Sequence, residues 1–386
     1  MRALVWRGVH QLAVTQVPDP ELRNEQDMIV RVRKSATCGS DLHLLGGHLP
    51  FPARGDVLGH EFLGEVVEVG PRVRRHRVGD RVVVCSVVSC GRCWHCGRQE
   101  FSLCDNGGAG ESGDLTPGGR YGHAHGPGGF AGSHAEYVRV PYADQGAFTV
   151  PDGVTDERAL FASDAAPTGW MGADLGGVRP GDVVAVWGAG GVGQLAARAA
   201  VLLGAERVVV IDRLADRLRM AERHLGVETL DPETQEVAGE LRERSGGRGP
   251  DVCIEAAGAA PPGGGPRRRR DRLGHLLRPE PDRPVAAHEA VRHCRKGGSV
   301  FLLGTYAGAV DGFPLGAVVD KGLTLRGAQQ HGRRYIPMLL ERMARGELVT
   351  EHLATHTMPL DEAPRGYDTF TNRRDGCVRA VFEPGR

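Results

Sequence analysis

The chain has 386 residues, enough for two or three domains of ordinary size. It is 40% hydrophobic and 25% charged, a balance that suits a soluble globular protein. Its 48 Lys and Arg offset its 48 Asp and Glu, for a formal net charge of zero, which argues against nucleic acid or a membrane surface as the main partner, since both reward a strong basic excess.

The opening "MRALVWRGVH" lacks the apolar run of a signal peptide, and no stretch approaches the ~20 apolar residues of a membrane span. A cytoplasmic protein is expected, in which disulfides are disfavoured.

The N-terminal portion carries short strand-like segments, "MIVRVRKSA", "EFLGEVVEVG" and "RVVVCSVV", separated by glycine and proline turns. Between them lie "CGSDLH", from Cys38 to His43, and "GHE", from Gly59 to Glu61. Cys38 and His60 offer a thiolate and an imidazole, both good zinc ligands, although each taken alone is equally suited to a buried core.

Five of the nine cysteines then crowd into residues 85 to 105. Cys90, Cys93, Cys96 and Cys104 follow the pattern C-x2-C-x2-C-x7-C. A ferredoxin-like cluster needs its fourth cysteine sooner, with a proline after it. The spacing instead fits a structural zinc: the short gaps turn around a tetrahedral ion and the longer gap lets the chain return. Such a site is closed and does no chemistry itself. Cys85, Cys253, Cys294 and Cys377 are scattered and read as buried free thiols.

Residues 183 to 212 read "VVAVWGAGGVGQLAARAAVLLGAERVVVID". A β-branched run precedes Gly188-x-Gly190-x-x-Gly193, an alanine-rich helical stretch follows, and a second apolar run ends at Asp212. That strand–turn–helix context makes a dinucleotide fingerprint. Gly188, Gly190, Gly191, Val192 and Gly193 form the turn that offers helix N-terminal amides to a pyrophosphate. Asp212 can accept from ribose hydroxyls and would repel a 2′-phosphate, so NAD is favoured over NADP, with the neighbouring Arg213 as the opposing feature. "DVCIEAAG", "SVFLLGTY" and "LTLRGA" continue as strands alternating with helical segments, which predicts a doubly wound parallel sheet. Residues 259 to 284, rich in proline, glycine and arginine, read as an inserted loop.

In this order, "CGSDLH", "GHEFLGEVVEVG", the four-cysteine loop and the dinucleotide fingerprint resemble the zinc-containing medium-chain alcohol dehydrogenases, over essentially the whole chain. "LFASDAAPTGW", "GDVVAVWGAGGVG", "CRKGGSVFLLGTYAG" and "YDTFTNRRDGCV" are similar to the formaldehyde dehydrogenase branch, including its glutathione-independent members and formaldehyde dismutase.

The resemblance implies an α/β protein, in which a Rossmann doubly wound parallel-sheet domain at 166–325 adjoins a β-rich GroES-like catalytic domain at 1–165 and 326–386 with both zinc sites. It implies Cys38, His60 and Asp164 as catalytic-zinc ligands, with Glu61 as the acid that approaches the metal during ligand exchange. Ser40 and His43 match a proton relay that runs through the nicotinamide ribose. Thr168 would sit beside the nicotinamide, and Arg217 and Arg379 would contact phosphate or ribose unless they are surface arginines. The substrate pocket would draw on residues near Leu44, Phe130, Trp170 and Tyr306.

The expected activity is hydride transfer between NAD and a small alcohol or aldehyde, formaldehyde or its hydrate or adduct among them, with two zincs per chain in a homodimer or homotetramer. The rival enzyme reading is a nicotinoprotein aldehyde dismutase that retains its NAD. In the branch, the insertion covers the NAD with charged or histidine-bearing sequence, and this chain has "PPGGGP" there instead. A non-catalytic NAD-binding protein on the same scaffold is the rival of another class, opposed by the presence of all three catalytic-zinc ligands.

Overall fold

The computed structural model describes residues 1–47, 52–107, 118–123, 128–258, 284–306, 310 and 312–385. They form two compact units, Met1–Thr168 with Gln329–Arg386, and Gly169–Ala328.

In the first unit a seven-stranded sheet runs in the order His356–Pro359, Ala380–Glu383, Met28–Ala36, Glu61–Val69, Arg81–Val84 and Ala147–Thr149, with Tyr137–Val140 also paired on Met28–Ala36. Valines and aromatics of alternating register, among them Val30, Val32, Phe62, Val82, Val84 and Tyr121, fill its core.

The register of this sheet builds the site. Ala36 pairs with Glu61, Phe62 with Val84, and Val381 with Ala36. Residues just past those strand ends, namely Cys38, His60, Ser86 and Arg379, therefore emerge together at one end of the sheet. The segment read as one strand, "RVVVCSVV", is broken. It ends at Val84, resumes as the short strand Val87–Val88, and leaves the sheet at Cys85 and Ser86.

The second unit is a six-stranded parallel sheet. Its strands, in chain order, are Val183–Trp187, Arg207–Ile211, Glu228–Leu230, Val252–Glu255, Ser299–Leu302 and Thr324–Gly327. They lie in the spatial order third, second, first, fourth, fifth, sixth, which is the dinucleotide-binding arrangement. Helices on both faces keep the central strands dry, which is why they read as near-continuous apolar runs.

The expected boundary at 325 and 326 falls inside the last strand, which pairs along its length with Ser299–Leu302 and so belongs wholly to the second unit. All four residues of that edge strand are exposed. Residues 259–283, most of the inserted loop, lie outside the described residues.

Candidate active site and metal centres

The turn at Gly188–Gly193 is shaped by sterics. Gly188 has φ +102°, and a Cβ there would meet the Ala256 and Ala257 backbone at 3.0 Å. A Cβ on Gly193 would lie 1.7 Å from the Gly188 carbonyl oxygen. Strand and helix can thus approach only through glycine.

Helix Gly191–Leu202 starts at Gly190 without a side-chain cap, so its first amides are available to an anion. Asp212 braces this turn. Its Oδ2 accepts from the Ala189 amide at 2.7 Å and its Oδ1 from the Leu214 amide at 3.0 Å. Arg217 reaches toward the same turn, its Nη1 3.6 Å from where a Gly190 Cβ would stand.

The four loop cysteines converge. Their sulfurs all lie within 4.8 Å of one another, with Cys93 and Cys104 at 3.9 Å. A tetrahedron with Zn–S bonds of ~2.3 Å has edges of about 3.8 Å, so the cage fits that ion. Amides point at the sulfurs as they do around thiolates: the Cys90 amide donates to Cys104 Sγ at 3.2 Å and Asn106 Nδ2 to Cys90 Sγ at 3.3 Å. Burial opposes ionisation of Cys90, but backbone amides and Asn106 outweigh it and bring its thiol down to about 6. Burial pushes Cys104 up to about 11, so a nearby cation would be needed to hold it as a thiolate. His95 stays out of the cage and bonds Glu100 at 3.0 Å.

A second group gathers from distant parts of the chain. Ligand atoms of Cys38, His60, Glu61 and Asp164 all lie within 4.8 Å of one another, and all four residues are buried. Asp164 Oδ2 stands 3.9 Å from Cys38 Sγ and 3.8 Å from His60 Nε2, a few tenths of an ångström wider than the edges of a zinc tetrahedron of this donor set.

His60 directs Nε2 into the group while Nδ1 lies 3.1 Å from Asp41 Oδ1. That carboxylate favours the proton on Nδ1 and leaves the Nε2 lone pair for a metal. Asp41 is fully buried, and its other oxygen accepts from the Cys38 amide at 2.8 Å and the Tyr367 hydroxyl at 3.0 Å. Tyr367 in turn bonds His134 Nε2 at 2.9 Å, and His134 Nδ1 meets Ser35 Oγ at 2.8 Å.

Electrostatics agree with a cation site. Burial raises the Cys38 thiol and pushes Glu61 up to about 7, despite the opposing Arg379. Burial disfavours charge on His60, yet Asp41 and Cys38 outweigh it and hold its pKa well above normal. A divalent cation would displace those protons. Glu61 Oε2 is buried with no hydrogen-bond partner among the described residues, as a spare ligand would be.

Arg379 is buried, which corrects the alternative that it is a surface arginine. It is 4% exposed, with Nη2 3.3 Å from Glu61 Oε1 and 3.9 Å from Cys38 Sγ. It neutralises the acid beside the ligands.

Ser40 Oγ lies 3.4 Å from His60 Nε2, at the edge of the group. His43 is buried on the short helix Asp41–Leu45 rather than on the surface. Leu44 packs on Leu58 in a small core cluster, and Phe130 packs on the sheet core, so both serve the interior. Trp170 and Tyr306 belong to the second unit. Asp41, Ser86 and Gln330 touch the ligand residues, and Tyr367 touches Asp41, but none of the four carried a role in the sequence reading. Asp41 stood inside the quoted "CGSDLH", Ser86 inside "RVVVCSVV" and Tyr367 at the start of "YDTFTNRRDGCV"; Gln330 gave no local signal.

Residues 24–152 match the alcohol dehydrogenase GroES-like domain and residues 191–262 the zinc-binding dehydrogenase family. Over all 386 residues, and the whole of both chains, this sequence is 35% identical to an uncharacterised zinc-type alcohol dehydrogenase-like protein, AdhB, of Bacillus subtilis. A glutathione-independent formaldehyde dehydrogenase of the same organism is 32% identical, with 99% of this chain and 97% of that one aligned. The alcohol dehydrogenase TADH from Thermus sp. ATN1 superposes with a TM-score of 0.84 at 34% identity over 99% of each chain. The chain belongs to the zinc-type medium-chain alcohol dehydrogenases and is an oxidoreductase.

Proposed function

We propose that this enzyme transfers a hydride between a small alcohol or aldehyde and NAD, with catalytic zinc held by Cys38, His60 and Asp164 and structural zinc by Cys90, Cys93, Cys96 and Cys104. The observation that carries the reading is the buried convergence of Cys38, His60, Glu61 and Asp164. A zinc ion held there supplies Lewis-acid chemistry that lowers the pKa of a substrate hydroxyl. Bound NAD supplies the hydride acceptor.

The chain's own residues do the rest. Asp41 orients His60, Arg379 pairs with Glu61 beside the three ligands, and Ser40, near His60 Nε2, is read as the hydroxyl that takes the substrate proton and passes it toward His43. Thr168, Gly188, Gly190, Gly191, Val192, Gly193, Asp212 and Arg217 serve the dinucleotide. The carboxylate of Asp212 at the end of its strand supports NAD over NADP. The relative named as a formaldehyde dehydrogenase supports formaldehyde, its hydrate or an adduct among the substrates.

A homo-oligomer is supported by the exposed edge strand Thr324–Gly327 and by exposed Leu315, Val319 and Leu325 near it in sequence. An unpaired, partly apolar edge invites a second chain. Leu325→Asp is expected to lower the mass measured by light scattering, whereas an unchanged mass would count against this edge as the contact.

Native and denaturing mass spectrometry of freshly purified protein, followed by an alcohol and aldehyde screen with added NAD, tests the whole reading. Two zincs per chain with turnover that depends on added NAD are expected. One zinc would overturn the catalytic assignment. Stoichiometric retained NAD, with equal yields of alcohol and acid from an aldehyde, would replace the dehydrogenase by a dismutase.

A further inference from the structure

Asp164 differs from the other ligands in having two equivalent donor atoms. A carboxylate left free can chelate a metal through both oxygens, which would fill the position a substrate oxygen needs. In this protein the two oxygens have different surroundings. Oδ1 accepts from the Ser86 hydroxyl at 2.5 Å and from Gln330 Nε2 at 2.9 Å. Oδ2 has Cys38 Sγ and His60 Nε2 at 3.9 and 3.8 Å and, among the described residues, accepts from no hydroxyl or amide.

The two donors come from separate segments and are themselves fixed. Ser86 sits where the strand Arg81–Val84 breaks off, and its amide donates to the Ser163 carbonyl at 3.0 Å. Gln330 Nε2 also reaches that carbonyl at 3.0 Å and Ser86 Oγ at 2.5 Å. Its two amide hydrogens thus serve three acceptors, so one is shared. Ser86 is 4% and Gln330 3% exposed, so water cannot readily replace either donor.

We propose that Ser86 and Gln330 are positioning residues that occupy Asp164 Oδ1 and confine the carboxylate to one-oxygen coordination of the active-site cation through Oδ2. The inference rests on the reading that this group holds zinc. The two donors also draw charge from the carboxylate, which leaves a more electrophilic metal.

The test uses the full-length zinc protein and its cobalt-substituted form. The double variant Ser86→Ala/Gln330→Leu should hold the active-site metal more tightly, by about tenfold in chelator competition, because the freed and more basic carboxylate gains a second bond, while the four-cysteine zinc is unchanged. Its cobalt visible bands should weaken as Asp164 turns bidentate and the coordination number rises. Ser86→Thr, which keeps the hydroxyl, should behave as the parent does. Unchanged affinity together with an unchanged cobalt spectrum would overturn the proposal. If the double variant fails to fold, Ser86→Ala and Gln330→Leu are read singly by the same two measurements. A parent protein with one zinc sinks the zinc reading itself; a parent with two zincs and variants that match it sinks this inference alone.

Discussion

The two candidate metal centres of the first unit are assembled in opposite ways. The four-cysteine cage takes all its ligands from a 15-residue span, Cys90 to Cys104, and the backbone of that span donates to the sulfurs. The second group takes Cys38, His60 and Asp164 from three places, and depends on Arg379, Tyr367 and Gln330 from the far C-terminal segment for its shape. A centre made of local sequence can staple the fold, whereas one made of strand ends depends on the fold and leaves room for a reactant.

The sharpest way to break this comparison is Cys38→Ser. Turnover should fall by about 10³-fold or more, the equivalent of several kcal/mol of lost Lewis-acid assistance. One zinc should be lost with little change in melting temperature. Full turnover would refute the assignment.

Cys93→Ala should do the reverse. A marked drop in melting temperature, worth several kcal/mol, is expected with kcat of the folded fraction nearly unchanged. If the variant melts with the parent, the stapling role is wrong.

Acid pH probes the second centre's supports. Burial pushes His134 down to about 4, against about 6.5 in an unfolded chain. As pH falls below 6.5 the unfolded chain takes up this proton first, so stability present above that pH is lost down to about 4. The loss approaches about 3 kcal/mol. His134→Gln should flatten denaturant-midpoint profiles over that window; an identical slope would remove His134 as the cause.

The smallest effect is in the second unit. Asp212→Ala should weaken NAD by about tenfold and narrow the gap to NADP, since a carboxylate that meets ribose hydroxyls is worth about 1–3 kcal/mol. Because Asp212 also braces Ala189 and Leu214, loss of both dinucleotides in parallel would mark it as a turn brace only.

Much of this was legible in the chain because the relevant periods and spacings are short. The glycine turn with its flanking strands and the cysteine cage each fit in one reading window, and both formed where expected. The strand read through "RVVVCSVV" was interrupted at Cys85 and Ser86, and the apolar pattern concealed this because both residues are buried. The burial of Arg379 was not legible because an arginine's burial depends on a partner, and its partner Glu61 is 318 positions away.

By itself the sequence determined which donors exist: a thiolate, an imidazole and carboxylates of the right softness, four cysteines at cage spacing, and glycines where a Cβ would collide. Only the tertiary structure decided how they meet. Antiparallel register brought Cys38, His60, Ser86 and Arg379 to one end of a sheet. Hydrogen bonds from Ser86 and Gln330 then set which oxygen of Asp164 faces the cluster. Pairing and side-chain aim of this kind arise from contacts tens to hundreds of residues apart, which no local pattern records.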